Sequence, residues 1–149
     1  MHIAILGGGL MGTASAFFLL THPQAPKSLK VTLIDRGAIG AAATVASFGN
    51  VRRQGRDFRQ MELAHHSLAL WNRLETLLGS DVEFRATGHV RAVLRHEALK
   101  DMENFASAAL HHGLEIELLD QREMRRRFPF LSEHVIAGSF SPQDGSGNP

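Results

Sequence analysis

At 149 residues the chain is long enough for one ordinary domain with its own core. Hydrophobic residues make up 44% and charged residues 21%, and 16 Lys and Arg against 15 Asp and Glu leave no net field to recruit nucleic acid or an anionic membrane. The absence of cysteine removes disulfides, thiolate metal sites and cysteine nucleophiles from these residues, and it agrees with a reducing cytoplasm, the expected location.

The first predicted elements lie in HIAILGGGLMGTASAFFLL, residues 2 to 20, which reads as a strand, a glycine-rich turn and a hydrophobic helix. Three consecutive glycines interrupt the run before a signal-peptide core forms, and Met1-His2 offers no basic flank. The stretch Ala4 to Leu20 would barely span a bilayer, so no transmembrane segment is expected and membrane contact is at most peripheral. Pro23 and Pro26 stop the helix, and Val31 to Ile34 read as a buried parallel strand ending in Asp35. Strand, helix and strand make a βαβ unit with a right-handed crossover.

Residues 37 to 56 hold four glycines and little periodicity, and a loop that long usually has a function. A helix follows over Asp57 to Leu78, with Met61, Ala64, Leu68, Trp71, Leu74 and Leu78 on its apolar face and Gly79 as its stop. HVRAVLR alternates Val90, Ala92 and Leu94 with Arg91 and Arg95, a strand with one wet face. A helix spans Glu97 to His112, with Leu99, Met102, Ala106 and Ala109 inward. LEIELL places Leu114, Ile116 and Leu118 opposite Glu115 and Glu117, and Asp120 with Glu123 forms a capping box for a short helix. VIAGSF is one more strand. Alternation of this kind implies an antiparallel sheet open to water on one face.

Gly7, Gly9 and Gly12 have the G-x-G-x-x-G spacing. The first permits a tight turn, the second lets the backbone approach a pyrophosphate, and the third lets helix and strand pack closely. Asp35 ends the second strand 23 residues after Gly12, where a carboxylate accepts hydrogen bonds from ribose hydroxyls and repels a 2′-phosphate. NADP is thereby disfavoured, but NAD and FAD share this half-site. Thr44, Ser47 and Asn50, in the small-residue loop after Asp35, offer a second strip of close backbone that the longer FAD needs.

The pieces ILGGGLMGTASAFFL, VTLIDRG, ASFGNVRRQGR, TGHVRAVLR, GLEIELLDQREMRRRFPFL and GSFSPQDGSGNP lie in order over nearly the whole chain. Together they resemble the N-terminal part of the flavoprotein amine and amino-acid oxidoreductases of the D-amino-acid oxidase, glycine oxidase and sarcosine oxidase type, nearest the β-subunit-like members. The resemblance implies FAD, held by Gly7, Gly8, Gly9, Leu10, Met11, Gly12, Asp35 and Arg36. It places Thr44 and Ser47 near the pyrophosphate, and Gly49, Asn50 and Arg52 toward the isoalloxazine. It implies a Rossmann-type α/β unit over 1–84, the beginning of a mixed, largely antiparallel substrate domain over 85–141, and a return toward the FAD-binding domain over 142–149. The implied reaction is oxidation of a C–N bond in an amino acid or secondary amine, with hydride passing to the flavin and the imine then hydrolysed.

Arg52 is the favoured catalytic candidate of the loop; Arg53, Arg56 and Gln54 are weaker ones. His65-His66 and His111-His112 read as exposed helix residues rather than metal ligands, because adjacent helical side chains diverge. Arg125 to Arg127 read as a solvated helix face, and Trp71 as core. Two other readings stay open: GGGLMG also resembles the turn of NAD-linked hydroxyacid dehydrogenases, and a regulatory module could keep the fold without catalysis. The expected partners are a small amino-acid or amine substrate, and further chain or a complementary subunit to complete the pocket. These residues alone are not expected to form a self-sufficient enzyme.

Overall fold

The computed structural model describes residues 1–148, which divide into two units, Met1–Phe48 and Gly49–Asn148. The first unit is built on β1 (His2–Leu6), α1 (Leu10–Thr21) and β2 (Lys30–Ile34). The two strands are parallel, with Ile3 opposite Val31 and Ile5 opposite Leu33. Gly7 N–H donates to the Ile34 carbonyl at 2.8 Å and Lys30 N–H to that of Met1 at 3.1 Å, closing the pair at both ends. The expected βαβ unit is present. Its second strand, however, is not buried throughout. Ile3, Ile5, Val31 and Leu33 are half-buried while Leu6 is 81% and Ile34 47% exposed, and α1 buries no residue. Two strands and one helix hold too little apolar surface to cover both faces of a sheet. Residues 37–48 run as short turns, with Ala46 N–H bonded to the Ala42 carbonyl and Ser47 N–H to that of Thr44.

The second unit contains β3 (Asn50–Val51), α2 (Met61–Leu78), β4 (His89–Val93), α3 (Leu99–His111), β5 (Glu117–Asp120), α4 (Gln121–Arg127), β6 (Ala137–Ser141) and β7 (Gly145–Ser146). An antiparallel three-stranded sheet has the order β4-β6-β5, and β3 pairs antiparallel with β7. The α2 helix is entered through a 3₁₀ turn at Phe58–Gln60 capped by the Asp57 carboxylate, and left through Gly79 at φ +71°. Met61 and Leu68 on the expected apolar face are buried, and Trp71 packs against Phe84, whereas Leu78 is 44% exposed. Asp120 and Glu123 form the expected reciprocal capping box. Among the described residues no helix is long and apolar enough to cross a membrane.

Three details of the alternation reading are corrected. The inward residue of β4 is Val93, packed with Met102 and Ala137, while Leu94 is 59% exposed. Val90 packs the other way, on the cluster of Leu119, Met124 and Val135, so β4 has no single wet face. In LEIELL the period slips: Leu114 is fully buried with Met61 and Ala109, the strand starts only at Glu117, and Leu119 rather than Leu118 is inside. The central strand β6 packs against both α3 and α4, and four of its five residues are buried. Sheet coverage is a property of the helices that land on it, and strand periodicity carries no record of them.

Candidate functional site

The glycine turn of the first unit is held by backbone bonds that make its shape obligatory. Gly7 lies at φ +106°, and a Cβ on Gly12 would stand 1.8 Å from the Gly7 carbonyl oxygen, so α1 approaches the turn more closely than any side chain allows. Asp35 Oδ2 accepts from Gly8 N–H at 2.7 Å and Oδ1 from Gly37 N–H at 3.0 Å. Those two donors, first Gly8 and then Gly37, hold its carboxyl below the usual carboxylate range. Thr44 Oγ1 accepts the Leu10 amide at 3.0 Å, so this loop threonine caps the start of α1, whose own N-cap residue, Gly9, has no side chain.

Gly9, Met11 and Gly12 have amides with no acceptor among the described residues. Free first-turn amides at a helix N-terminus suit a phosphate, and the side-chain-free backbone admits one. The turn therefore fits a dinucleotide pyrophosphate. The fit differs from the sequence reading in one respect. The Gly8 and Leu10 amides, counted there with the phosphate-facing set, are taken by Asp35 and Thr44. Asp35 keeps lone pairs free for ribose hydroxyls, since each oxygen accepts one of these two amide bonds. Arg36, Met11 and Ser47 are exposed.

In the second unit the candidates of the arginine loop separate. Arg53 is 4% and Gln54 0% exposed. Asp144, fully buried on the turn before β7, accepts from Arg53 Nε at 3.1 Å, from Arg53 N–H at 3.0 Å and from Gln54 N–H at 2.9 Å. The rest of the Arg53 guanidinium donates to Gln143 Oε1 at 2.8 Å and His65 Nδ1 at 3.0 Å. Because His65 Nε2 faces the His112 carbonyl at 2.7 Å, Nε2 carries a proton and Nδ1 accepts from Arg53. Gln54 Nε2 donates to the His89 carbonyl at 2.9 Å and to His89 Nδ1 at 3.0 Å. Burial, then the charge of Arg52, push the His89 imidazole below its ordinary value, with Arg91 adding to this and Asp144 opposing it.

Arg53 is thus a buried structural cation, whereas among the described residues neither Arg52, half-buried, nor Arg56, exposed, has an ion pair. Gly49 accepts from Gly147 N–H at 2.9 Å, and Asn50 stands exposed opposite Ser146. Two readings are corrected. His65 belongs to the Arg53 network rather than to a solvated surface. Arg127 is half-buried, pairs with Glu117 and lies over the Phe140 ring at 4.5 Å, while Arg125 and Arg126 are exposed as expected. Among the described residues no group of His, Asp and Glu is placed to hold a metal. Asp144 and His89 were not singled out from sequence. The only signal was an acid in a glycine-rich terminal turn, which reads as a turn residue until its cation is found.

A parallel βαβ unit with an obligate glycine turn, a strand-end carboxylate and free helix amides defines a dinucleotide-binding protein. The family described as DAO, FAD dependent oxidoreductase, matches residues 2–149, and the chain belongs to it. The cofactor of that family is FAD, which decides between FAD and NAD. The chain is 23% identical over 142 residues to the FAD-dependent oxidoreductase domain-containing protein 1 of Xenopus laevis, covering 91% of this chain and 28% of that protein. It is 24% identical over 146 residues to the mitochondrial dimethylglycine dehydrogenase of Rattus norvegicus, covering 97% of this chain and 17% of that one. Glycine oxidase from Geobacillus kaustophilus superposes with a TM-score of 0.87 at 24% identity, over 98% of this chain and 40% of its own. The chain therefore spans less than a third of the curated relatives it matches here.

Proposed function

We propose that this chain takes part in FAD-dependent oxidation of a C–N bond in an amino acid or secondary amine. The observation that carries the reading is the glycine turn, with its free Gly9, Met11 and Gly12 amides beside the Asp35 carboxylate, in a chain of the FAD dependent oxidoreductase family. The names of two matched proteins, a dimethylglycine dehydrogenase and a glycine oxidase, support the substrate class. FAD, when bound, supplies the acceptor for the hydride that leaves the carbon beside nitrogen. Gly9, Met11 and Gly12 bind the pyrophosphate, Asp35 orients the ribose and excludes a 2′-phosphate, and Arg52 serves the flavin or substrate side.

In this proposal residues 1–84 serve FAD, 85–141 begin the substrate domain and 142–149 lead back. The rest of the substrate wall comes from further protein, in the same polypeptide or a complementary subunit. A cytoplasmic location belongs to the same proposal, and the cysteine-free sequence is compatible with it. The test is anaerobic reduction of the FAD-loaded protein, assembled with its full complement of chain, by a panel of amino acids and secondary amines. Bleaching of the flavin band with release of the imine-derived carbonyl product is expected. A loaded protein reduced by hydroxyacids and not by amines would overturn the proposal.

A further inference from the structure

Within the second unit Gln54 joins the buried Arg53–Asp144 pair to strand β4. Its backbone N–H is tied to Asp144 at 2.9 Å, while its side-chain Nε2 lies 3.0 Å from His89 Nδ1 and 2.9 Å from the His89 carbonyl. That carbonyl decides which way the amide points. Turned over, the amide would set its own oxygen against the oxygen of His89, so the NH2 end faces β4 and brings two protons to two acceptors. An amide nitrogen accepts nothing, so His89 Nδ1 is the acceptor and the ring proton sits on Nε2. The other end of the same amide is left out of the bonding: Gln54 Oε1 is buried with no partner among the described residues. An amide that keeps its nitrogen bonded while its oxygen goes unpaired is held by the partners of the nitrogen.

His89 is half-buried, and its Nε2 makes no hydrogen bond among the described residues. The charges that bear on the ring are Arg52 from the loop, Arg91 from β4 and Asp144 from the turn before β7; Ser141, opposite His89 on β6, is uncharged. A proton added at Nδ1 would have to displace the Gln54 amide and join two guanidinium charges, opposed only by an aspartate already engaged by Arg53. Burial acts in the same direction.

We propose that Gln54 is a positioning residue that locks His89 as the neutral Nε2–H tautomer, which makes this imidazole a hydrogen-bond donor and denies it the role of base. In the C–N oxidation proposed above, on which this second part rests, His89 donates to an acceptor oxygen or nitrogen on the side that Arg52 serves and takes no proton from the amine.

Multiple-bond ¹H–¹⁵N spectra of the full 149-residue chain read the tautomer directly, with His89 identified by the signals that vanish in His89→Phe. A protonated Nε2 and a bare Nδ1 are expected near neutral pH; a proton on Nδ1, or an even mixture of tautomers, overturns the lock. Gln54→Met removes the donor at similar volume and should shift the tautomer ratio about threefold to tenfold toward Nδ1–H. Should that variant fail to fold, Gln54→Asn keeps the amide, withdraws it by one methylene and should give the same shift. An unchanged ratio overturns the role of Gln54. In the FAD-loaded protein assembled with its full complement of chain, His89→Gln, which keeps a donor, should retain roughly tenfold more kcat/KM for an amine substrate than His89→Phe. Equal values overturn the donor, and a pH–rate limb at the His89 midpoint that disappears in His89→Phe makes His89 a base and overturns the proposal. A loaded protein that oxidises no amine overturns the reaction reading and the donor step with it, whereas the tautomer stands or falls by its own spectrum, recorded without substrate.

Discussion

The glycine turn of the first unit and the Arg53–Asp144 centre of the second are both assembled from residues far apart in sequence, yet by opposite means. In the turn the working groups are mostly backbone amides, and the side chains that matter, Asp35 and Thr44, accept from that backbone at a partly open surface. In the second unit the central groups are two buried side chains, Arg53 and Asp144, which pair with each other and are completed by His65, Gln143 and two backbone amides. A backbone site survives changes in its neighbours as long as its glycines remain. A buried ionic network depends on each member, because removing one leaves a desolvated charge behind.

The comparison is tested most sharply at Asp144. Asp144→Ala strands the Arg53 guanidinium and two amides, and should cost about 3–5 kcal/mol in urea unfolding. A loss below 1 kcal/mol would mean that the network contributes little. In the turn, Gly12→Ala forces a methyl into the Gly7 carbonyl and should cost about 1–3 kcal/mol, with FAD affinity falling alongside stability. Equilibrium dialysis of FAD against wild type and variant measures the second effect.

Asp35→Ala separates turn geometry from ribose recognition. FAD affinity should fall by about tenfold to a hundredfold, read by flavin fluorescence quenching. Asp35→Asn, which retains an acceptor oxygen for one amide, should fall less. The depressed carboxyl also fixes a pH dependence. A group whose pKa is lowered on folding stabilises the native state above its unfolded value, and that contribution is lost as pH falls through the native value. The turn should therefore loosen only below the ordinary carboxylate range, where exchange of the Gly8 amide should quicken ahead of the Arg85 and Ser146 amides, whose acceptors are backbone carbonyls. The smallest effect is expected at the α4 cap, where Asp120→Ala should cost about 1 kcal/mol by thermal unfolding and leave FAD affinity unchanged.

Sequence by itself determined the elements whose cause is local. The βαβ unit follows from a strand pattern, a glycine turn and two prolines; α2 follows from a 3.6-residue stripe ending in Gly79; the α4 cap follows from Asp120 and Glu123. Each of these rests on forces acting between residues a few positions apart, so spacing reveals them. Tertiary structure alone decided which face of β4 and β5 is inside, that β6 is covered on both sides, and that Arg53 is buried while Arg52 is not. It also decided that Thr44 caps α1 across 34 positions and that Asp144 neutralises Arg53 across 91. An arginine or aspartate in a loop has the same local appearance whether its partner is water or a distant counter-ion. The desolvation that separates those two outcomes arises only when the chain has folded around the pair.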